Sequence, residues 1–441
     1  MKYFDSLFSG VKWTTISAVI VSVSAVLRMA ILARYLERVD FGHFALVLSI
    51  LSFVQLFSDF GLSVSVLHKQ SISRTAYSSL YWLSLLSGIA LYLVFLGAIP
   101  WIAKYFEAPV LRHLLPVAGV GIILSGLGNL FRILTWKELR YQYIAVSSII
   151  ANIAGLTCAV YMAVTGWGVW SLIYSTLLIS LIMQVRWLLA GLRRYPLKFS
   201  FSFREIKPFW KIGKFAVGGE IVNYFTREID ILMIGKLSDA ATLGAYSLAR
   251  QLVLKPGQMI SRVITDASLP ILPKLQDDIQ RLREGFLKIT QSIATLMALV
   301  YGGFFLVAGL AVPVIYGPEY AFLSNVCRIF AIFFYWRMIL RFNANLIIAT
   351  GKTQLSLLMN VITFPLTAAA IAIGYRWGLE GIAWGQVIMM LLLHVLSWRL
   401  ILLPLLQVSW LTYFRHTLPG IQLVREVTER VIRMYWHNNR K

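Results

Sequence analysis

Cysteine is nearly missing from this chain. Cys158 and Cys327 are the two it has, each inside an apolar run, so disulfides and a cysteine-rich metal site have no basis. The six histidines lie apart without metal-ligand spacing, and neither a metal nor any other cofactor is expected. A Walker sequence is also missing, which argues against ATP hydrolysis. Charge is scarce: Asp, Glu, Lys and Arg make up 14% of residues, where soluble domains carry about 25%. Acids are the rarer sign, 19 against 41 bases, and the formal net charge is +22. Such an excess suits nucleic acid, but the cations sit in short loops or inside apolar runs, not on a separable basic domain. Nucleic acid is therefore rejected as a partner.

What the chain has in quantity is apolar sequence. Hydrophobic residues make up 59% of it, the balance of an integral membrane protein. A bilayer core takes about 20 apolar residues per helix, and about twelve segments suit that length. They are 13–33, 41–67, 79–103, 114–134, 143–164, 168–189, 212–234, 244–265, 288–315, 321–349, 355–375 and 381–405. The first run contains Arg28 and has no small-residue cleavage site, so an uncleaved span is predicted rather than a signal peptide. Trp13, Trp101, Trp136, Trp187 and Trp210 lie near segment ends, as interfacial aromatics do. With the N-terminus taken as cytoplasmic, only Arg34, Arg38, Lys104, Arg112, Lys236 and Arg376 fall in outer loops. That asymmetry predicts both termini inside.

The chain also repeats itself. Arg34 to Leu46 and Lys236 to Leu248, about 200 residues later, share a basic residue, an acidic turn, an apolar-Gly pair and an aromatic in register. The pairs are Phe41-Gly42 with Leu243-Gly244, and Phe44 with Tyr246. Gly168-Val169-Trp170 and Gly381-Ile382-Ala383 open the sixth and twelfth segments alike. The competing reading is two unrelated turns that both favour Gly. Two related halves predict a six-helix lobe over 1–190, a basic linker over 191–211 and a second lobe over 212–405. A basic amphipathic cytoplasmic tail is predicted over 406–441, from the spacing of Ile421, Val424, Val427, Val431 and Met434. The linker mixes Arg193, Arg194, Lys198, Arg204 and Lys207 with Phe199, Phe201 and Phe203, a composition suited to an anionic membrane surface.

Four apolar segments carry polar stripes at helical spacing. These are Thr14, Ser17, Ser24 and Arg28; Glu220, Asn223, Arg227 and Asp230; Gln251, Lys255, Gln258 and Arg262; and Arg337, Arg341 and Asn345. A charge at the bilayer centre costs at least about 2.5–3.5 kcal/mol, so these cations need a wet cavity, a partner or a snorkelling path. Arg28, Arg227, Arg250, Lys255, Arg337 and Arg341 are the candidate substrate-binding cations of a positive cavity. Asp59, Glu220 and Asp230 are the candidate coupling or gating acids. Structural pairing of cations with acids is the other reading, and Arg28 with Asp230, which share a register in the repeat, could form such a bridge. Arginines on different helices suit a ligand with clustered negative charge, such as a lipid diphosphate.

Leu32-Ala33-Arg34-Tyr35-Leu36, Asp40-Phe41-Gly42 and Gln55-Leu56-Phe57-Ser58-Asp59-Phe60-Gly61-Leu62 resemble the opening of Wzx-type polysaccharide transporters. Gly168-Val169-Trp170-Ser171-Leu172, Gly235-Lys236, Leu243 to Ala249, Pro256 and Ile315 to Tyr320 are similar to later parts of that family. The resemblance covers most of residues 10–405. It implies the fold of the multidrug/oligosaccharidyl-lipid/polysaccharide superfamily, with two six-helix lobes around a central cavity, in a bacterial inner membrane. It further implies flipping of undecaprenyl-diphosphate-linked oligosaccharide units without catalysis, with Arg28, Arg227 and Arg250 as candidates for the diphosphate. A polysaccharide polymerase and export machinery are implied as possible partners. Many family members have two further C-terminal spans, where this chain has an amphipathic tail. Three alternatives stand beside that reading: a membrane-embedded glycan polymerase or ligase, a multidrug exporter and a peptidoglycan-precursor flippase. Short outer loops argue against the first, and a cationic lining argues against drug cations.

Overall fold

The computed structural model describes residues 2–58, 66, 72–268, 278–352 and 354–420, the side chains of 2–11, 208–217 and 259–268 excepted. The described elements are helical. They run α1 Lys2–Leu32, α2 Arg38–Ser58, α3 Arg74–Tyr105, α4 Leu111–Lys137, α5 Tyr141–Val164, α6 Val169–Arg194 and α7 Phe203–Leu237. After these come α8 Ala240–Ser268, α9 Ile279–Tyr316, α10 Leu323–Ala349, α11 Gln354–Gly374, α12 Gly378–Ser397 and the short α13 Trp410–Thr417. A π-helical turn, Trp398–Leu402, extends α12. α1 to α12 correspond one for one to the segments read from hydropathy.

Several helices are longer than their apolar runs. α7 begins at Phe203 and α3 at Arg74, because helix propensity carries each one past the apolar stretch into polar sequence. Nine stretches of the described chain are long and apolar enough to cross a bilayer, and one of these, Gln354–Leu406, holds both α11 and α12. The two long helices outside that set are α7 and α8, where Glu220, Arg227, Glu228, Asp230, Arg250 and Lys255 dilute the apolar sequence.

Two compact units divide the chain, Met1–Leu248 with Ile315–Gly317, and Ala249–Val314 with Pro318–Lys441. In the first, α4 packs between α3 and α6, α5 between α1 and α6, and α2 against α4 and α7. Glycines allow these approaches. A Cβ at Gly126 of α4 would lie 2.9 Å from the Ser84 carbonyl oxygen of α3, and one at Gly191 of α6 would run into the Phe131 ring. α7 belongs to this unit because it packs along α2 and α3. Trp187, placed at the membrane interface by its position near a segment end, is instead in the core: it is 5% exposed, and the Arg132 guanidinium lies 5.7 Å from its ring. Phe131, Leu134 and Tyr81 share that cluster, so burial of a large apolar ring there outweighs its interfacial preference.

The second unit packs α12 against α10 and α11. Asn343 of α10 donates to Ser397 Oγ at 2.7 Å, and Tyr335 OH donates to the Thr417 carbonyl at 2.6 Å. The first bond joins α10 to α12; the second, with Tyr413 fully buried, fastens α13 to the unit. Residues 410–417, within the predicted tail, are therefore packed against the second unit. Ile421 to Met434, the predicted amphipathic segment, lie outside the described residues.

The repeat has a structural counterpart. A Cβ at Gly42 would overlap the Ala240 carbonyl oxygen, and one at Gly244 would overlap the Arg38 carbonyl oxygen. Gly42 shares its register with Gly244, and Arg38 shares its register with Ala240. The two contacts are therefore one contact made twice, the reciprocal pairing that a two-fold axis produces. The glycine pairing at the later helix starts differs by three residues from the sequence reading. α6 starts after Gly168 (φ 51°) and α12 at Gly378 (φ 68°), so Gly378, not Gly381, is the conformational match.

Candidate functional site

α1 presents two faces. Ile16, Val19, Val23 and Leu27 form an exposed apolar stripe suited to lipid, while Ser24 is buried and Arg28 is half-buried. The Arg28 Nε is buried, and among the described residues no acceptor meets it. A guanidinium is the most demanding donor in the side-chain set, with five N–H groups and no way to become neutral. Gln184 Oε1 and Trp187 Nε1 of the same unit are likewise buried and unmet among the described residues, but Arg28 is the one that carries a charge.

The matching position in the second repeat is resolved differently. Asp230 of α7 is buried; its Oδ2 accepts from Tyr246 OH at 2.8 Å and its Oδ1 from the Ile231 N–H at 2.9 Å. Tyr246 stands where the first repeat has Phe44. One repeat thus carries a carboxylate with a phenol to hold it; the other carries a guanidinium in register with a phenyl. Sequence reading marked Asp230 but not Tyr246, although the Phe-to-Tyr difference in the aligned turns was the signal.

The other stripe residues of α7 are more open. Glu220 is exposed, and so is Arg227, whose Nε donates to Glu228 Oε1 at 3.1 Å. Between them Tyr224 is buried, its OH donating to the Ser49 carbonyl of α2 at 2.9 Å, with Phe53 packed 5.2 Å from its ring. This polar clasp between α2 and α7 was not anticipated. Asp59 lies outside the described residues.

In the second unit Arg250 and Lys255 are half-buried on α8, next to Pro256 and the buried Gly257, against which the Tyr301 ring packs. Arg337 of α10 is half-buried with its guanidinium 5.6 Å from the Phe333 ring and 5.8 Å from that of Phe334. Such stacking offsets part of the cost of desolvating the cation while leaving its edge donors directed elsewhere. Arg341, one turn on, is exposed. Of the nine marked residues, Arg28, Arg227, Glu220 and Asp230 thus belong to the first unit, and Arg250, Lys255, Arg337 and Arg341 to the second.

A separate concavity of about 430 Å³ in the first unit is lined by His43, Phe106, Glu107, Lys236, Asp239 and Leu243 among others. Lys236 Nζ lies 2.7 Å from Glu107 Oε1 and 5.3 Å from the Tyr105 ring. The Lys236 hydrogen bond and charge hold the Glu107 carboxyl below its ordinary range. Asp239 is lowered likewise, chiefly by its hydrogen bond with Thr242 at the start of α8. No group of three or more His, Cys, Asp or Glu placed to hold a metal occurs among the described residues.

Comparison with known proteins places these features in company. Residues 31–325 match the model of a family described as polysaccharide biosynthesis protein. The lipopolysaccharide biosynthesis protein WzxC of Escherichia coli (strain K12) is 26% identical over 418 residues, covering 94% of this chain and 84% of WzxC. The teichuronic acid biosynthesis protein TuaB of Bacillus subtilis (strain 168) is 23% identical over 353 residues, 79% of this chain and 72% of TuaB. Among solved structures, the lipid II flippase MurJ in an inward closed conformation superposes with a TM-score of 0.75 at 14% identity, covering 92% of this chain and 90% of MurJ. That last likeness is one of fold.

Proposed function

Because this chain belongs to the polysaccharide biosynthesis protein family, a group of multi-pass membrane transporters, we propose that it flips an undecaprenyl-diphosphate-linked oligosaccharide across the bacterial inner membrane. The observation that carries this reading is the Arg28 guanidinium, with its buried Nε unmet among the described residues. A cation in a largely apolar helix whose buried Nε meets no acceptor among the described residues is suited to a ligand that brings its own charge, and a diphosphate offers several anionic oxygens to one planar fork. Arg227, Arg250, Lys255, Arg337 and Arg341 engage the same anionic group in the course of transport. Asp59, Glu220 and Asp230 act as coupling or gating acids. The repeat halves, 1–190 and 212–405, are the moving parts, and both termini are cytoplasmic. No covalent chemistry is required of the chain.

The test is polymer export in cells that carry only the variant. Arg28→Ala should insert and accumulate as the wild type does while export falls at least tenfold; Arg28→Lys should keep part of the activity, having charge without the planar fork. Wild-type export by Arg28→Ala at normal abundance would overturn the assignment.

A further inference from the structure

We propose that the segment joining α6 to α7 is a fixed docking strap for anionic phospholipid. Its backbone is held along the first turns of α3 by side chains. Arg74 Nε donates to the Pro196 carbonyl at 2.9 Å, Tyr77 OH to the same carbonyl at 3.1 Å, and Trp82 Nε1 to the Lys198 carbonyl at 3.0 Å. In return the Lys198 and Ser202 N–H groups donate to Ser78 Oγ and Ser79 Oγ, each at 3.0 Å. The strap's beginning is tied to the end of α4: Arg194 and Tyr195 both donate to the Glu138 carboxylate, at 2.7 and 2.6 Å. Burial and that carboxylate push the Tyr195 phenol up to about 12, so it stays a donor throughout the physiological range.

A segment held at so many points cannot fold its own aromatics inward. Phe199 is 95% exposed and stacks on Trp82 at 4.9 Å between centroids, and Phe203 is 75% exposed. Arg193, Lys198, Arg204 and Lys207 are exposed around them. The acids nearby are engaged: Glu138 as above, and Glu205 by the Ser73 hydroxyl at 3.3 Å. Exposed rings among cations, on a backbone already satisfied, are complementary to a headgroup layer with negative charge and accessible acyl chains. Folding alone gives no reason to leave Phe199 in water. This inference is independent of what the protein transports.

The test uses the full chain with Cys158→Ser and Cys327→Ser, bimane attached at Phe199→Cys, in nanodiscs of mixed phosphatidylcholine and phosphatidylglycerol. Bromine is placed on one lipid at a time. Brominated phosphatidylglycerol should quench more strongly than brominated phosphatidylcholine, and added salt should erase the difference. Replacing Arg193, Lys198 and Arg204 by Gln should lower the preference by about fivefold per cation. If that variant does not fold, the salt titration on the parent decides alone. Equal quenching by both lipids would overturn the selectivity. Strong quenching by aqueous iodide with none from either lipid would overturn membrane docking altogether, and protection that requires added cell extract would assign the strap to a protein partner.

Discussion

Arg28 and Asp230 hold one register of the repeat and differ in sign; Phe44 and Tyr246 hold another and differ by a hydroxyl. That hydroxyl is a donor to the Asp230 carboxylate. Removing it in Tyr246→Phe strips a buried carboxylate of its 2.8 Å donor, which should cost about 1–3 kcal/mol. Thermal unfolding in detergent would register this as a lower midpoint, and Asp230→Asn with Tyr246→Phe should recover part of the loss, since no charge then remains to be satisfied. A midpoint unchanged in Tyr246→Phe would mean that the carboxylate draws its support elsewhere. At this scale the sequence disclosed which residues are out of place in lipid, Arg28 above all, because polar residues in apolar helices stand out. It did not disclose their partners. The Tyr224–Ser49 clasp joins residues far apart in the chain, and nothing local in either helix announces it.

Among the elements, α2 and α8 meet at glycines with no room for a methyl group. Gly42→Val and Gly244→Val should each lower abundance or export several-fold, and similarly, because they break the two copies of one contact. If one is silent while the other is severe, the reciprocity has no functional weight. The loop between α3 and α4 supplies a pH test. Glu107 has its pKa depressed by Lys236, so the contact contributes above the ordinary carboxylate pKa and is lost as pH falls through the lowered folded value. Glu107→Gln should therefore differ from the wild type near neutral pH, in unfolding midpoint, and converge with it in acid. The helices themselves were legible, since twenty-residue apolar runs have few alternatives. Their ends were not: α7 starts nine residues before its apolar run, and α12 starts at Gly378, where a positive φ and not hydropathy sets the boundary. The strap's basic and aromatic composition was legible, but its anchoring was not, because its bonds pair side chains of α3 with a backbone about 120 residues away, which no periodicity encodes.

For the molecule as a whole, the asymmetry of Lys and Arg predicts which side each loop faces. Phe199 is the position to probe, exposed on the strap where the neighbouring Ser200 Oγ is buried. In the cysteine-free chain, Phe199→Cys should resist an impermeant thiol reagent in intact cells and react once the membrane is opened; labelling from outside would invert the topology. Trp187 shows the limit of whole-chain reasoning from composition. An aromatic near a helix end serves a lipid interface or a protein core equally well, and only the neighbouring rings of Phe131 and Tyr81 choose between them.

The paired approach of Gly42 to Ala240 and of Gly244 to Arg38 has a genealogical consequence. A contact that is its own mirror is what two identical six-helix chains would make as a dimer, and in such a dimer every residue is obliged to appear twice. An ancestor with arginine at the register of Arg28 would have carried two, and one with aspartate two of those. Joining the copies into a single chain releases that obligation everywhere except at the axis, where each glycine still answers to the other's backbone. Unlike charges such as those at Arg28 and Asp230 are closed to a pair of identical copies and open to a pair whose sequences can differ, as the two stretches of one chain do.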